Sequence, residues 1–315
     1  MCTAISDGQL FGRTLDLEAS YGEKVVITPR KSPFSFIYQT KIADHLAIIG
    51  TAHIDSGVPL YYDAMNEKGL CAAALRFPNF AIYHEKKPQT RNLASFELIP
   101  WLLCQFDSAD KAKDALASVN ITPDSFSSTL PSTPLHWLIA DKNQAFVVES
   151  VKEGLKIYDA PEGVLTNAPD FPAQQAILSI HGNLAQKVCS IGEKTVDLPG
   201  DSSSSSRFIR AWHAKKHTLP LNSNRSNEIE HNSAVTRFFH VCDTVSQPHG
   251  FARNDKKSPV RTVYTACMDT KSLIYYFTTY SCRQIRGVKL SELQADSDRL
   301  VTFPMENDEK IAFLS

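Results

Sequence analysis

The chain has 315 residues, 43% of them apolar, enough to bury a large core, and 33 lysines and arginines almost cancel 34 aspartates and glutamates. So even a balance gives no field that would recruit nucleic acid or an anionic membrane surface, and neither partner is expected. The first residues carry no basic flank or apolar stretch, no apolar run reaches the roughly 18 residues of a spanning helix, and the seven cysteines (2, 71, 104, 189, 242, 267 and 282) lack paired spacing, so the cytoplasm is the expected compartment.

Read in chain order, alternation and turn residues predict strands over 2–5, 9–16, 24–29 and 45–53. A hairpin follows over 60–66 and 70–77, turning at Asn66-Glu67-Lys68-Gly69. Segments 94–106 and 108–119 suit helices, the second capped by Asp107 or Ser108. Strands return over 136–139, 145–149, 155–160 and 164–167, the last ending at a Pro-bounded loop. Helices over 208–215 and 228–246 precede a hairpin over 261–269 and 272–280. The serines 202–206 read by composition as a linker, yet they lead straight into Arg207-Phe208-Ile209-Arg210, where a serine caps a helix. Strands and helices that alternate in blocks, without βαβ periodicity, favour an α+β fold of stacked, largely antiparallel sheets covered by helices, in one domain over 1–315.

Cys2 draws the first chemical expectation. Methionine aminopeptidase removes Met1 before a small residue, leaving a thiol and an α-amine on one carbon. An α-amine of pKa ~7.7–8.0 can take the proton of a thiol near ~8.5 and later hand it to a leaving amine. By position alone an accidental cysteine is the commoner case. Gly12-Arg13-Thr14-Leu15-Asp16, returning antiparallel after the Asp7-Gly8 turn, shifts the balance. Arg13 would favour thiolate, and Asp16 would orient the amine, unless the two form only a surface ion pair.

Six segments carry a resemblance. Met1-Cys2-Thr3-Ala4-Ile5, Gly12-Arg13-Thr14-Leu15-Asp16, Met65-Asn66-Glu67-Lys68-Gly69-Leu70, Leu135-His136-Trp137, Gly163-Val164-Leu165-Thr166-Asn167-Ala168-Pro169 and Ser206-Arg207-Phe208-Ile209-Arg210 run in order along nearly the whole chain. Together they resemble the choloylglycine hydrolase family, which holds bile salt hydrolases and penicillin V acylases among the N-terminal nucleophile hydrolases. The resemblance implies a four-layer αββα sandwich. It implies Cys2 as nucleophile, Arg13 and Asp16 beside it, Asn167 as oxyanion donor and Arg207 as a charged site residue. It also implies a homo-oligomer, tetramer or dimer, and no cofactor.

The expected substrate is a small amide, a glycine- or taurine-conjugated bile salt before all, with penicillin V or an N-acyl homoserine lactone as alternatives from the same chemistry. A non-catalytic binding protein that keeps Met1 is the reading of another class. Leu15, Arg76, Phe77 and Trp137 are the expected substrate contacts, within a looser set of pocket aromatics that adds Phe11, Tyr21, Phe80 and Tyr83. One departure stands out: Leu75-Arg76-Phe77 replaces the Leu-Asn-Phe usual in bile salt hydrolases, so the second oxyanion donor is expected to be the Arg76 backbone N–H. The segment from Asn167 to Arg207 also looks shorter than in those enzymes. His213 and His217 have the spacing of a zinc pair but no third ligand, so no metal is expected; Cys104, Cys242 and Cys267 lack any papain-like signature and read as core.

Overall fold

A computed structural model describes residues 1–185, 198–219 and 228–314, so Cys189 and part of the Asn167 to Arg207 connection lie outside it. The chain opens with strands β1 (Cys2–Ser6), β2 (Leu10–Leu17), β3 (Lys24–Thr28), β4 (Ile48–Asp55), β5 (Val58–Asn66), β6 (Cys71–Arg76) and β7 (Arg91–Ala94). Helices α1 (Leu98–Gln105) and α2 (Ala109–Leu116) precede β8 (Val119–Thr122), β9 (Leu135–Ala140), β10 (Ala145–Val151), β11 (Gly154–Asp159) and β12 (Val164–Leu165). Then come α3 (Phe171–Ala185), α4 (Ser204–Thr218), α5 (Glu228–Asp243), β13 (Ala252–Arg253), β14 (Pro259–Asp269), β15 (Ile274–Thr279), β16 (Cys282–Lys289), α6 (Glu292–Ala295) and β17 (Val301–Pro304).

Two antiparallel sheets form the centre. The first runs β12-β1-β2-β14-β15-β16, with β13 beside β14; the second runs β11-β10-β9-β6-β5-β4-β3-β17. Helices α4 and α5 pack on the outer face of the first sheet, with α3 against α4, while α1 covers the second. One apolar cluster joins the two sheets and the α3–α5 layer, and another fills the space between the second sheet and α1 and α2. Helix, sheet, sheet and helix therefore stack as the sequence suggested, each layer burying the face its neighbour exposes.

The first motif glycine has a packing reason. A Cβ on Gly12 would stand 2.0 Å from the Ala266 carbonyl oxygen, so only glycine lets β2 lie this close to β14. At the β5–β6 turn Gly69 takes φ +83°, while Asn66 Oδ1 accepts the N–H groups of Lys68 and Leu70 and its Nδ2 donates to Leu103 and Phe106 carbonyls. That one side chain ties the hairpin to the end of α1.

Several boundaries differ from expectation. Segment 94–106 is a strand end, a 3₁₀ turn (Ser95–Glu97) and then α1, because the Glu97 carboxylate accepts the N–H groups of Ala94 and Ile37 and holds the entry tight. Ser108 caps α2 as expected, accepting from Lys111, but Val119 belongs to β8, which pairs in parallel with β7. The serine run caps a helix, as its flanks suggested, Ser203 accepting the Ser206 N–H at the start of α4. Sequence reading missed α3, although Asp170-Phe171-Pro172 is a start signal, with Asp170 accepting the Ala173 N–H. It also missed β16, β17, β13 and the short α6.

Candidate active site

The β1–β2 register sets Cys2 opposite Leu15 and Met1 opposite Asp16, whose backbones exchange hydrogen bonds of 2.7 and 2.9 Å. Side chains alternate along a strand, so Cys2, Arg13 and Leu15 share the face toward the second sheet, and Thr3, Thr14 and Asp16 share the helix-covered face. Cys2 is 1% exposed and Arg13 fully buried. The β5–β6 ladder stops after Asp63 and Ala73. Beyond that point the Arg13 guanidinium fills the gap, Nη1 donating to the Tyr62 and Ala74 carbonyls at 3.2 and 2.7 Å. Burial opposes its charge, but the Cys2 thiol, then Tyr264, Asp63 and Asp16, outweigh that, so its pKa is raised. Nη2 remains buried without a partner. Behind Arg13, burial pushes the Asp63 carboxyl up, against Arg13 (3.9 Å) and the Tyr264 and Tyr275 hydroxyls that donate to it.

On the helix side, Asp16 Oδ1 accepts the Thr262 hydroxyl at 2.7 Å, whereas Oδ2 is buried with no partner. Asn167 follows β12 and bridges three groups. Its Oδ1 accepts the Cys2 N–H and Arg207 Nη2, both at 2.8 Å, and its Nδ2 donates to the Arg76 carbonyl at 2.7 Å. Arg207, held in the first turn of α4, also donates from Nη1 to the Cys2 carbonyl (2.5 Å) and the Thr3 hydroxyl (2.7 Å). Its burial lowers its pKa despite Asp16 and Cys2 nearby. The five residues expected around the terminus are thus brought to one place.

A cavity of about 490 Å³ opens over Cys2 and Arg13, walled by Leu17, Tyr21, Phe96, Ile99, Phe126 and Leu130 among others. Leu15, Arg76 and Trp137 line it as expected. Phe77 does not. Neighbours on a strand face opposite ways, so with Arg76 turned to the cavity, Phe77 packs behind it, stacked on His136 with ring centroids 4.2 Å apart. Phe11, Phe80 and Tyr83 also stand outside the lining; Tyr83 instead braces the loop before β9, its hydroxyl bonded to Thr133 and Leu135. Sequence reading overlooked Glu18, which lines the cavity, receives the Tyr21 hydroxyl at 2.5 Å and feels the charge of Arg76. Its place just past β2, two residues beyond Asp16, was the available signal.

The His213 and His217 rings lie 4.4 Å apart on α4, and among the described residues no cluster of three or more potential ligands is arranged for a metal. Burial pushes the Cys104 thiol up to about 12 and raises Cys71 and Cys242 as well, which fits core residues rather than nucleophiles.

The family profile described as linear amide C–N hydrolases, choloylglycine hydrolase family, matches residues 2–303. The chain belongs to that family. It is 42% identical to a bile salt hydrolase/transferase of Lactiplantibacillus plantarum, over 98% of each chain. It is 33% identical to a conjugated bile acid hydrolase of Lactobacillus gasseri, over 96% of this chain and all of that one. The crystal structure of the C2A conjugated bile acid hydrolase of Clostridium perfringens superposes over the full length of both chains with TM-score 0.87 at 29% identity. A penicillin V acylase of Agrobacterium tumefaciens shares the fold, with TM-score 0.77 at 20% identity over 96% of this chain and 90% of that one. The αββα sandwich and the linear-amide hydrolase activity expected from the motifs are both borne out.

Proposed function

We propose that, once Met1 is removed, the Cys2 thiol cleaves the amide of conjugated bile salts and releases glycine or taurine. The observation that carries this reading is the Asp16 carboxylate: buried, paired through its backbone with Met1, and left with one oxygen unpartnered. Buried carboxylate oxygens are rarely left so, and the α-amine of a new terminus is the donor it lacks, neutral before it takes the thiol proton and held more strongly once charged. Asn167 Oδ1, already on the Cys2 nitrogen, would help aim that amine.

In the reaction the α-amine takes the thiol proton and Sγ attacks the amide carbonyl. Arg13, with its free Nη2 and its pull toward Cys2, favours the thiolate. Two donors suit the developing oxyanion: the second hydrogen of Asn167 Nδ2 and the Arg76 N–H. Phe77 N–H donates to Pro134 across the β6–β9 ladder, so Arg76 occupies the alternate position with its backbone polar groups turned away from β9, as its bond from Asn167 requires. Such donors contribute about 2.7–4 kcal/mol each when removed singly. The amine then leaves with the proton, and water hydrolyses the thioester to the free acid and thiol. The apolar cavity suits the steroid, with Arg76 beside Glu18 on its wall to meet the anionic amine.

Rates on glycocholate, taurocholate and penicillin V, measured beside Cys2→Ala and with intact mass, test the proposal. Retention of Met1, or turnover confined to penicillin V, would overturn it. A cytoplasmic location and a homo-oligomeric state belong to the same proposal; among the described residues no helix is long and apolar enough to cross a membrane. Light scattering that returned only a monomer would remove the oligomer.

A further inference from the structure

The Leu135-His136-Trp137 motif contributes Leu135 and Trp137 to the cavity wall, but His136 faces the other way and is fully buried. It stands directly opposite Glu149 in the β9–β10 ladder, and both side chains are 0% exposed, with Nδ1 3.1 Å from Oε1. A buried ionisable pair is a poor source of stability compared with apolar residues of like size. Its contacts point to another use.

His136 Nε2 lies 2.7 Å from the Thr166 carbonyl, and a carbonyl only accepts, so Nε2 carries a hydrogen. A single further proton then sits between Nδ1 and Oε1, whichever atom it is bonded to. Glu149 Oε1 also accepts the Phe171 N–H at 3.0 Å, at the start of α3. The pair therefore holds both ends of the segment that carries Asn167. The face of the same imidazole stacks on Phe77, tilted by only 10°, and Phe77 follows Arg76. One ring thus touches the neighbour of Asn167 and the neighbour of Arg76, the two residues whose mutual bond is 2.7 Å.

We infer that His136, held by Glu149, is the positioning residue that sets the spacing of the two oxyanion donors, Asn167 and the Arg76 N–H. The inference rests on the amide hydrolysis proposed above. His136 touches no substrate, so it acts on the chemical step without acting on binding. Donors aligned to the transition state lose about 100-fold in rate for a displacement near 1 Å.

The test uses the full chain, with His136→Phe to keep volume and stacking while removing both polar contacts, and His136→Gln to keep a donor for the Thr166 carbonyl. Turnover of glycocholate is read together with the rate at which iodoacetamide alkylates Cys2, which reports the thiol but not the oxyanion donors. His136→Phe is expected to lower kcat about 100-fold, with KM and the alkylation rate within about three-fold of wild type, and His136→Gln to recover about ten-fold of the loss. A kcat near wild type, or an alkylation rate that falls in step with kcat, overturns the positioning role. Should His136→Phe not fold, Glu149→Gln carries the same test: kcat down about ten-fold with alkylation unchanged supports it, and unchanged kcat overturns it. A wild-type chain that is alkylated yet cleaves no amide overturns the hydrolase reading itself, whereas an active wild type with an unaffected His136 variant overturns this inference alone.

Discussion

The side-chain oxygen of Asn167 accepts the backbone N–H of Cys2 at 2.8 Å, across 165 positions of sequence. Because Arg207 donates to the same oxygen, the amide is held in one orientation and its nitrogen is turned to Arg76. Asn167→Asp keeps an acceptor for both donors but supplies no N–H and adds a negative charge where one develops. We expect kcat to fall by roughly 10²–10³ while Cys2 is still alkylated, as checked by steady-state kinetics and mass mapping. A loss confined to KM would remove Asn167 from the oxyanion hole.

Asp16 meets the chain terminus on one side and Thr262 on the other. Asp16→Asn should lower kcat more than it raises KM, since the amine loses its orientation but the cavity keeps its shape. Thr262→Val, which removes the 2.7 Å hydroxyl bond to Asp16, should do the same to a smaller degree. A pure KM effect in either variant would make Asp16 a wall of the pocket only.

Arg76 and Glu18 both face the cavity, and their charges oppose one another there. Arg76→Ala should raise KM for glycine and taurine conjugates by an amount matching ~1.5–3 kcal/mol for a lost charged hydrogen bond, yet spare neutral amides. Glu18→Gln should move KM the opposite way for the same anionic substrates. Parallel shifts on charged and neutral amides would refute both roles.

Thiol selectivity follows from surroundings, since Cys2 lines the cavity beside Arg13 whereas Cys71, Cys104 and Cys242 lie outside that lining in the core. With Cys104 pushed up to about 12, its thiolate fraction at pH 8 is only about 10⁻⁴, and Cys71 and Cys242 are also raised. One equivalent of iodoacetamide should therefore abolish turnover with the label on Cys2, as peptide mapping would verify. The same loss with the label on Cys104 or Cys242 would favour a papain-like arrangement.

Much of the site was legible because it lies near the start of the chain or beside distinctive turns. Cys2, Arg13 and Asp16 fall on a single hairpin, so strand alternation alone places Arg13 with the thiol. Asn167 and Arg207 needed the family resemblance, since Asn167 reaches Cys2 through the pairing of β12 with β1 and Arg207 through the packing of α4 on β1. Phe77 went astray although the same alternation turns it from Arg76. His136 could not be read at all: its partners, Glu149 and Thr166, are set by the β9–β10 register and by the approach of β12 to β9, neither of which is local. In the fold, the outer strands β16 and β17 escaped because half-exposed edge segments show weak apolar periodicity.

The opened β5–β6 ladder has a mechanical consequence. Arg13 belongs to one sheet and the two carbonyls that accept from its Nη1 to the other, so the guanidinium acts as a rivet through the middle of the sandwich. Cys2 sits on the same side of that rivet as Arg13, while Arg76 rides on the opposite sheet. Any sliding of the layers would therefore separate Cys2 from Arg76 before either sheet unravelled. Turnover would fail in mild denaturant while circular dichroism still reported an intact fold, making catalysis a gauge of how tightly the two sheets are held in register.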